Sequence, residues 1–331
     1  MRTRLPAIVA VGAALLLAGC ASASPGSTAP ATDDATATTG GYPVTVQNCD
    51  TTVTVDQAPE RIVTIKSTTT ELLLALGLGD RIVGSAFLDG PLPAALDSVG
   101  ADLNVISDFV PGQEAVLALT PDFVYGGWES NFSADGVGER AALDDLGIGS
   151  YVSPAACKGD AMPDPLTFDT VFAEIGEAGA LFGVPDAASA LIDEQEAELA
   201  DLTPVTDAPS ALWYSSGTDT PYVGAGIGAP QMILDAAGLT NIFADVHDTW
   251  TSAGWESVVA ANPDVIVLVD ASWNTADSKI ANLEGNPATA GLDAVVDQRY
   301  LVVPFAAGEA GIRNVEAAGS LVDQYAALDA P

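Results

Sequence analysis

Apolar and polar positions along this chain switch regularly between the period of a strand and the period of a helix. From Arg61 to Ala86 a β-branched run, Ile62-Val63-Thr64-Ile65, gives way to Thr68 and Glu71 spaced as a capping box. Leu72-Leu73-Leu74-Ala75-Leu76 follows, then Gly77 and Gly79, and the unit closes on Ile82-Val83. That pattern predicts strand, helix, strand. Glu114 to Leu119 predicts a helix that passes through Thr120-Pro121-Asp122 into the buried strand Phe123-Val124-Tyr125, and a third unit runs from Glu139 through Leu146-Gly147 to Ile148 and Tyr151-Val152. Strands alternating with helices imply an α/β domain with a parallel sheet.

The same order returns after Leu202, with Ala211-Leu212-Trp213-Tyr214 as a strand, Pro230 opening a helix over Gln231 to Ala237, and Asn241-Ile242-Phe243 as a strand. Glu71–Val83 and Gln231–Phe243 align without a gap, and Gln113–Tyr125 matches Trp255–Val267 in pattern, so two related lobes are expected, 42–165 and 204–331. Residues 166–203 link them. Phe168 to Phe182 is helical in period, Gly183-Val184-Pro185 breaks it, and Asp186 to Leu202 forms a second helix spanning about 25 Å at 1.5 Å per residue. The predicted fold is therefore α/β: two lobes with mainly parallel sheets, joined by a long helix, with a ligand cleft between them.

The amino terminus changes the picture. Arg2 and Arg4, an apolar run from Ala7 to Ala18 and Leu17-Ala18-Gly19-Cys20 have the layout of an export signal, 1–19, cleaved before a cysteine that takes lipid. The apolar run is shorter than the roughly 20 residues of a spanning helix, so Cys20 is expected to tether the protein to the outer face of the cell membrane. Residues 20–41, rich in Ala, Ser, Thr, Gly, Pro and Asp, read as a flexible stalk. Ten basic residues stand against 45 acidic ones, which excludes nucleic acid as a partner. Beyond Cys20, Cys49 and Cys157 form an even pair in an oxidising compartment and are expected to be bonded, with two free thiols as the alternative.

Ligands of open α/β sheets bind outside the carboxyl ends of the strands, and aromatics concentrate there: Trp128, Trp213, Tyr214, Tyr222, Trp250 and Trp273 are the ligand candidates. Two scarce cations join them. Lys66 precedes a helix start that favours an anion, and Arg313 opens the last helix, with an ion pair to Glu309 or Glu316 as its other reading. Gly224-Ala225-Gly226-Ile227-Gly228 reads as a backbone loop approaching the ligand and not as a dinucleotide fingerprint. Ser215-Ser216 and Ser252 have no histidine nearby, the only histidine being His247, so a Ser-His-Asp hydrolase fits poorly and no metal site or cofactor is expected.

The two copies of Glu followed by Pro-Asp and a strand, Glu114 with Pro121-Asp122 and Glu256 with Pro263-Asp264, carry a family resemblance. From Val44 to about Ala327 the chain resembles the helix-linked (class III) solute-binding lipoproteins of ABC importers for iron-siderophores, haem and cobalamin. The resemblance implies a non-enzymatic monomer that hands a small-molecule ligand to an ABC permease and its ATPase, with Glu114 and Glu256 docking on permease arginines. Pro43-Val44-Thr45-Val46-Gln47-Asn48-Cys49, Gly127-Trp128-Glu129-Ser130-Asn131-Phe132 and Trp213-Tyr214-Ser215-Ser216-Gly217 are similar to an actinobacterial subgroup proposed to import a deazaflavin precursor of coenzyme F-420. An aromatic, anionic ligand follows from it. The alternative class is an exported two-lobe α/β hydrolase or nucleotide-dependent enzyme.

Overall fold

A computed structural model describes residues 41–328. The signal segment 1–19, Cys20 and the stalk up to residue 40 lie outside the described residues. The chain opens with an antiparallel hairpin of β1 (Val44–Asn48) and β2 (Thr51–Val55). The first lobe follows as β3 (Ile62–Ile65), α1 (Ser67–Ala75), β4 (Ile82–Ala86), β5 (Val105–Ser107), α2 (Gln113–Leu117), β6 (Phe123–Gly126), α3 (Arg140–Asp144) and β7 (Gly149–Val152). Its sheet is wholly parallel in the order β5-β4-β3-β6-β7. Every residue of β3 and β6 is buried, as strands covered on both faces must be.

Two helices follow, α4 (Phe168–Leu181) and α5 (Pro185–Asp201), and then the second lobe. It comprises β8 (Ser210–Ser216), β9 (Tyr222–Gly224), α6 (Ala229–Ala237), β10 (Thr240–Asn241), β11 (Trp250–Ser252), α7 (Trp255–Ala261), β12 (Val265–Asp270), α8 (Ala276–Gly285), α9 (Asp293–Val296) and β13 (Tyr300–Pro304). The chain ends in α10 (Asn314–Leu328). This sheet runs β11-β9-β8-β12-β13, with β10 parallel to β8 and with β9 and β11 antiparallel. The repeated core is thus β4-β3-β6-β7 in one lobe and β10-β8-β12-β13 in the other.

The duplicated Pro-Asp has a structural task in each lobe. The Asp122 carboxylate accepts the backbone N–H groups of Glu60 (2.8 Å) and Arg61 (2.9 Å) at the start of β3. Asp264 accepts the Ser210 N–H and hydroxyl, both at 2.7 Å, at the start of β8, and those bonds hold its pKa below the ordinary carboxylate value. Each aspartate pins the first strand of its lobe to the strand that follows the next helix but one.

The sequence pattern errs at α1. Thr68 does not cap the helix and Glu71 does not reach back to it, because the helix starts at Ser67 and its N-cap position falls two residues earlier, on Lys66, whose backbone is left-handed (φ 86°). Asp89 supplies the acceptor for the Ser67 N–H at 3.3 Å, while the Asp89 N–H donates to Ser67 Oγ at 2.8 Å.

The link between lobes is a layer of helices and not one long strut. α4 begins where Leu166 N–H meets the Ile227 carbonyl of the second lobe (2.9 Å) and ends with Leu181 and Phe182 in the core of the first. α5 returns antiparallel, packed so closely that a Cβ on Gly179 would lie 2.3 Å from that of Ala188. α10 contributes Val315 to the first core and Ala317, Ala318 and Leu321 to the second. A disulfide joins Cys49 to Cys157 with Cα atoms 5.0 Å apart across 108 residues, a loop for which the chain-entropy account gives up to about 4.7 kcal/mol.

Buried in α4, Glu174 accepts from the Tyr125 hydroxyl (2.8 Å) and from Ser153 Oγ. Burial pushes its carboxyl up to about 7, against the hydrogen bonds from Ser153 and Tyr125. The folded protein therefore holds this proton more tightly than the unfolded chain. The stability it lends is fully present below about pH 4.5 and is lost by about pH 7, an effect of about 3 kcal/mol. Glu174→Gln is expected to gain stability relative to the parent protein by that amount between pH 4.5 and 8 in urea unfolding. A difference that does not change with pH would refute the assignment.

Candidate functional site

Both sheets point the carboxyl ends of their parallel strands at one cavity of about 410 Å³ between the lobes. In the first lobe the strand order reverses between β3 and β6, and in the second between β8 and β12, which are the switch points where crevices open. Thr68, Gly127, Trp128 and Ser130 enter from the first reversal and Ser215, Ser216 and Trp273 from the second. Ser153 and Lys158 beyond β7, Tyr222 and Trp250 on the antiparallel edge, and Phe305 and Glu309 beyond β13 complete the wall. The volume lies toward the lower end of the roughly 300–1,000 Å³ of small-molecule sites.

Lys66 lies buried beneath the cavity floor and does not line the cavity. Its ammonium pairs with Asp89, both side chains being buried. It also lies 3.9 Å from the Trp128 ring centroid, 4.3 Å from that of Phe87 and 4.9 Å from that of Phe305, a ring of the other lobe. Gly127 allows this: a Cβ there would stand 2.7 Å from Lys66 Cβ. Above the floor Trp128 Nε1 donates to Glu309 Oε2 at 2.8 Å, joining the lobes. Burial pushes the Glu309 carboxyl up, partly offset by the Lys66 charge and the Trp128 hydrogen bond. Tyr222 and Trp250 stack at 5.9 Å with planes 13° apart, and Trp273, 62% exposed, meets Phe305 edge-on at 5.8 Å. The loop carrying Trp273 is tied down by Lys279, whose buried Nζ donates to the carbonyls of Val269 and Asn274 at 2.6 Å each.

Of the residues expected at the ligand, Trp128, Tyr222, Trp250 and Trp273 line the cavity. Trp213 and Tyr214 do not. β8 is covered on both faces, so Trp213 packs into one core beneath Gly224 and Gly308 and Tyr214 into the other against Trp255, at 0% and 1% exposure. Lys66 lies under the cavity with its charge already met by Asp89. Arg313 does not line the cavity either: its Nε donates to Glu71 Oε2 at 2.7 Å and its Nη2 to the Pro91 carbonyl at 2.9 Å, a buried clamp between lobes, so its other reading, an ion pair, holds but with a partner other than Glu309 or Glu316. Gly228, from the glycine loop, reaches the wall. Glu114 and Glu256 are exposed in the first turns of α2 and α7, equivalent places in the two lobes. Reasoning from sequence missed Phe305, Lys158 and Glu309; the rule that singled out residues after each strand would have found Phe305 and Glu309 had it been applied beyond β13.

No group of three or more metal-ligating side chains is assembled among the described residues. Ser215 and Ser216 face the cavity, whereas His247 is an exposed partner of Asp164 at 2.9 Å. Nothing in this arrangement activates a nucleophile. It is a site for holding a molecule between two walls.

Comparison with known proteins agrees. Residues 62–306 match the periplasmic binding protein family, and the chain belongs to it. It is 27% identical over 328 residues to the ABC transporter substrate-binding lipoprotein YvrC of Bacillus subtilis, covering 94% of this chain and 93% of that one. It is 27% identical over 218 residues to a vitamin B12-binding protein of Yersinia pestis, covering 64% and 70%. The crystal structure of an Fe3+-hydroxamate ABC transport protein from Saccharomonospora viridis superposes with a TM-score of 0.73 at 26% identity, covering 86% of this chain and 99% of that one. The protein is an extracytoplasmic substrate-binding component of an ABC importer and not an enzyme, which sets aside the hydrolase alternative.

Breaking a buried ion pair by removing one partner costs about 3–5 kcal/mol. Arg313→Ala, which strands Glu71 between the lobes, is expected to lower the unfolding free energy by that amount without removing any group that lines the cavity. A loss below about 1 kcal/mol in denaturant titration would show that the pair does not hold the lobes together.

Proposed function

We propose that this protein captures an aromatic, anionic small molecule and delivers it to an ABC permease, with the deazaflavin precursor of coenzyme F-420 as the first candidate and an iron-siderophore, cobalamin or haem as alternatives. The observation that carries the aromatic part is the wall of Trp128, Tyr222, Trp250, Trp273 and Phe305 around 410 Å³. Flat rings stack on such walls in offset or edge-on contacts worth about 0.5–1.5 kcal/mol beyond their buried area. The negative charge meets Lys158, the one lysine or arginine lining the cavity among the described residues, and not Lys66 or Arg313. The relatives include proteins named for vitamin B12 and for Fe3+-hydroxamate. Haem fits less well, since among the described residues Tyr222 is the only axial ligand of the usual kinds in the wall, and a corrinoid enters only if the lobes part.

Lipid on Cys20 holds the monomer at the membrane, and Glu114 and Glu256, one per lobe, pair with cations of the permease. Glu114→Ala and Glu256→Ala are expected to leave ligand binding by the isolated protein unchanged while lowering uptake in cells, the double change more than either alone. Loss of binding in solution would refute the docking role.

Hydroxylated deazaflavin added to purified protein is expected to quench tryptophan fluorescence at micromolar concentrations, with weaker binding by Trp273→Ala and by Lys158→Ala. No binding at those concentrations, alongside strong quenching by a ferric siderophore, would replace the first candidate with an alternative.

A further inference from the structure

Glu309 is the one carboxylate in the cavity wall among the described residues, and sequence reading gave it no role there. It stands beyond β13 on the second lobe and is held across the cleft by the first, because Oε2 accepts Trp128 Nε1–H at 2.8 Å. Oε1 accepts no hydrogen bond among the described residues. The remaining polar wall is mostly hydroxyl: Thr68, Ser130, Ser153, Ser215, Ser216 and Thr249. Hydroxyls rotate to donate or accept and discriminate little. An ionised carboxylate only accepts, so Glu309 imposes a demand that no other side chain in the wall imposes.

We propose that Glu309 selects the solute, its free Oε1 accepting an O–H or N–H from the edge of a planar ring that lies against Trp128 and Phe305. This rests on the aromatic-solute reading above and adds what that reading lacks, a requirement for a ring-edge donor. Trp128 fixes the carboxylate plane, so the acceptor is placed before the solute arrives. Burial pushes the Glu309 carboxyl up even with Lys66 and Lys158 nearby, and a donor from the solute supplies the stabilisation that water no longer gives. A site built around such a bond rejects the analogue that lacks the donor far more strongly than an apolar wall rejects a missing methylene. An O-methylated ring loses its donor and leaves Oε1 desolvated without a partner.

The test compares matched probes on the intact mature protein: 8-hydroxy-5-deazaflavin and its 8-methoxy ether, and 2,3-dihydroxybenzoate and its dimethyl ether. Affinities are read by tryptophan quenching for the parent protein and for Glu309→Gln, which keeps an acceptor for Trp128 but turns an amide donor toward the ring. The parent protein is expected to bind a hydroxylated probe about tenfold or more tighter than its ether, and Glu309→Gln to bring that ratio to within about twofold with an unchanged melting temperature. Binding of a hydroxylated probe and its ether with equal affinity by the parent protein, or a ratio preserved in Glu309→Gln, overturns the donor requirement and leaves the aromatic reading standing. Binding of none of the four at millimolar concentration overturns the aromatic reading and this inference together. A melting temperature lowered in Glu309→Gln is met with Arg313→Ala, which loosens the contact between lobes and leaves Glu309 and Trp128 in place; if that variant also brings the ratio to within about twofold, the ratio reports lobe closure and the inference fails.

Discussion

A lysine ammonium kept out of water organises the centre of this molecule. Lys66 follows β3 with a left-handed backbone, a conformation that costs a non-glycine residue on the order of 1–3 kcal/mol, and its side chain is 1% exposed. Only a partnered cation survives there. Asp89 provides the opposite charge and Phe87, Trp128 and Phe305 provide ring faces. Because Phe305 comes from the other lobe, solvating this one ion fixes the height of the cleft floor. Trp128, pinned from below by Lys66, then offers its indole N–H to Glu309, so the interior ion and the interlobe contact form one assembly.

That assembly works within a frame that permits little bending. α4 and α10 each belong to both lobes, α5 packs on the first, and Arg313 reaches 242 residues back along the chain to Glu71. Buried on one side by Leu181 and Phe182 and on the other by Leu321 and Ala318, these helices cannot swing without opening a core that is packed to the density of a solid. Ser153 couples the frame to the site, since it lines the cavity and donates to Glu174 in α4. Small closing motions of whole lobes fit this construction better than the wide swing of a strand hinge.

The lobes were legible in the sequence because strands covered on both faces read as continuous β-branched runs and because each lobe repeats the same Pro-Asp before its central strand. The structure adds the reason for that repeat, which is the clamp of Asp122 on Glu60 and Arg61 and of Asp264 on Ser210. Trp213 was not legible. A tryptophan near a strand's carboxyl end looks the same whether it faces a ligand or a core, and the difference here lies in Gly224 on the paired strand β9 and Gly308 from beyond β13, which cover it. Arg313 and Lys66 were misplaced for a related reason: the sequence shows that cations are scarce, but not that Glu71 and Asp89 take up their charge. Local patterns carry local structure, while pairings between distant buried charges are a property of the assembled chain.

Those pairings also decide how a chain with a formal net charge of −35 can hold a solute. Its acidic coat repels an anion at long range, but ions screen that field beyond about 8–10 Å at physiological salt. Around the cleft the balance is different, with Lys66 matched by Asp89 beneath the floor, Lys158 at the exposed edge and Glu309 held by Trp128. The coat therefore acts on encounter, and on any cationic partner surface that the protein meets. What the cavity itself presents is ring faces, hydroxyls and the few charges that the interior has not already neutralised.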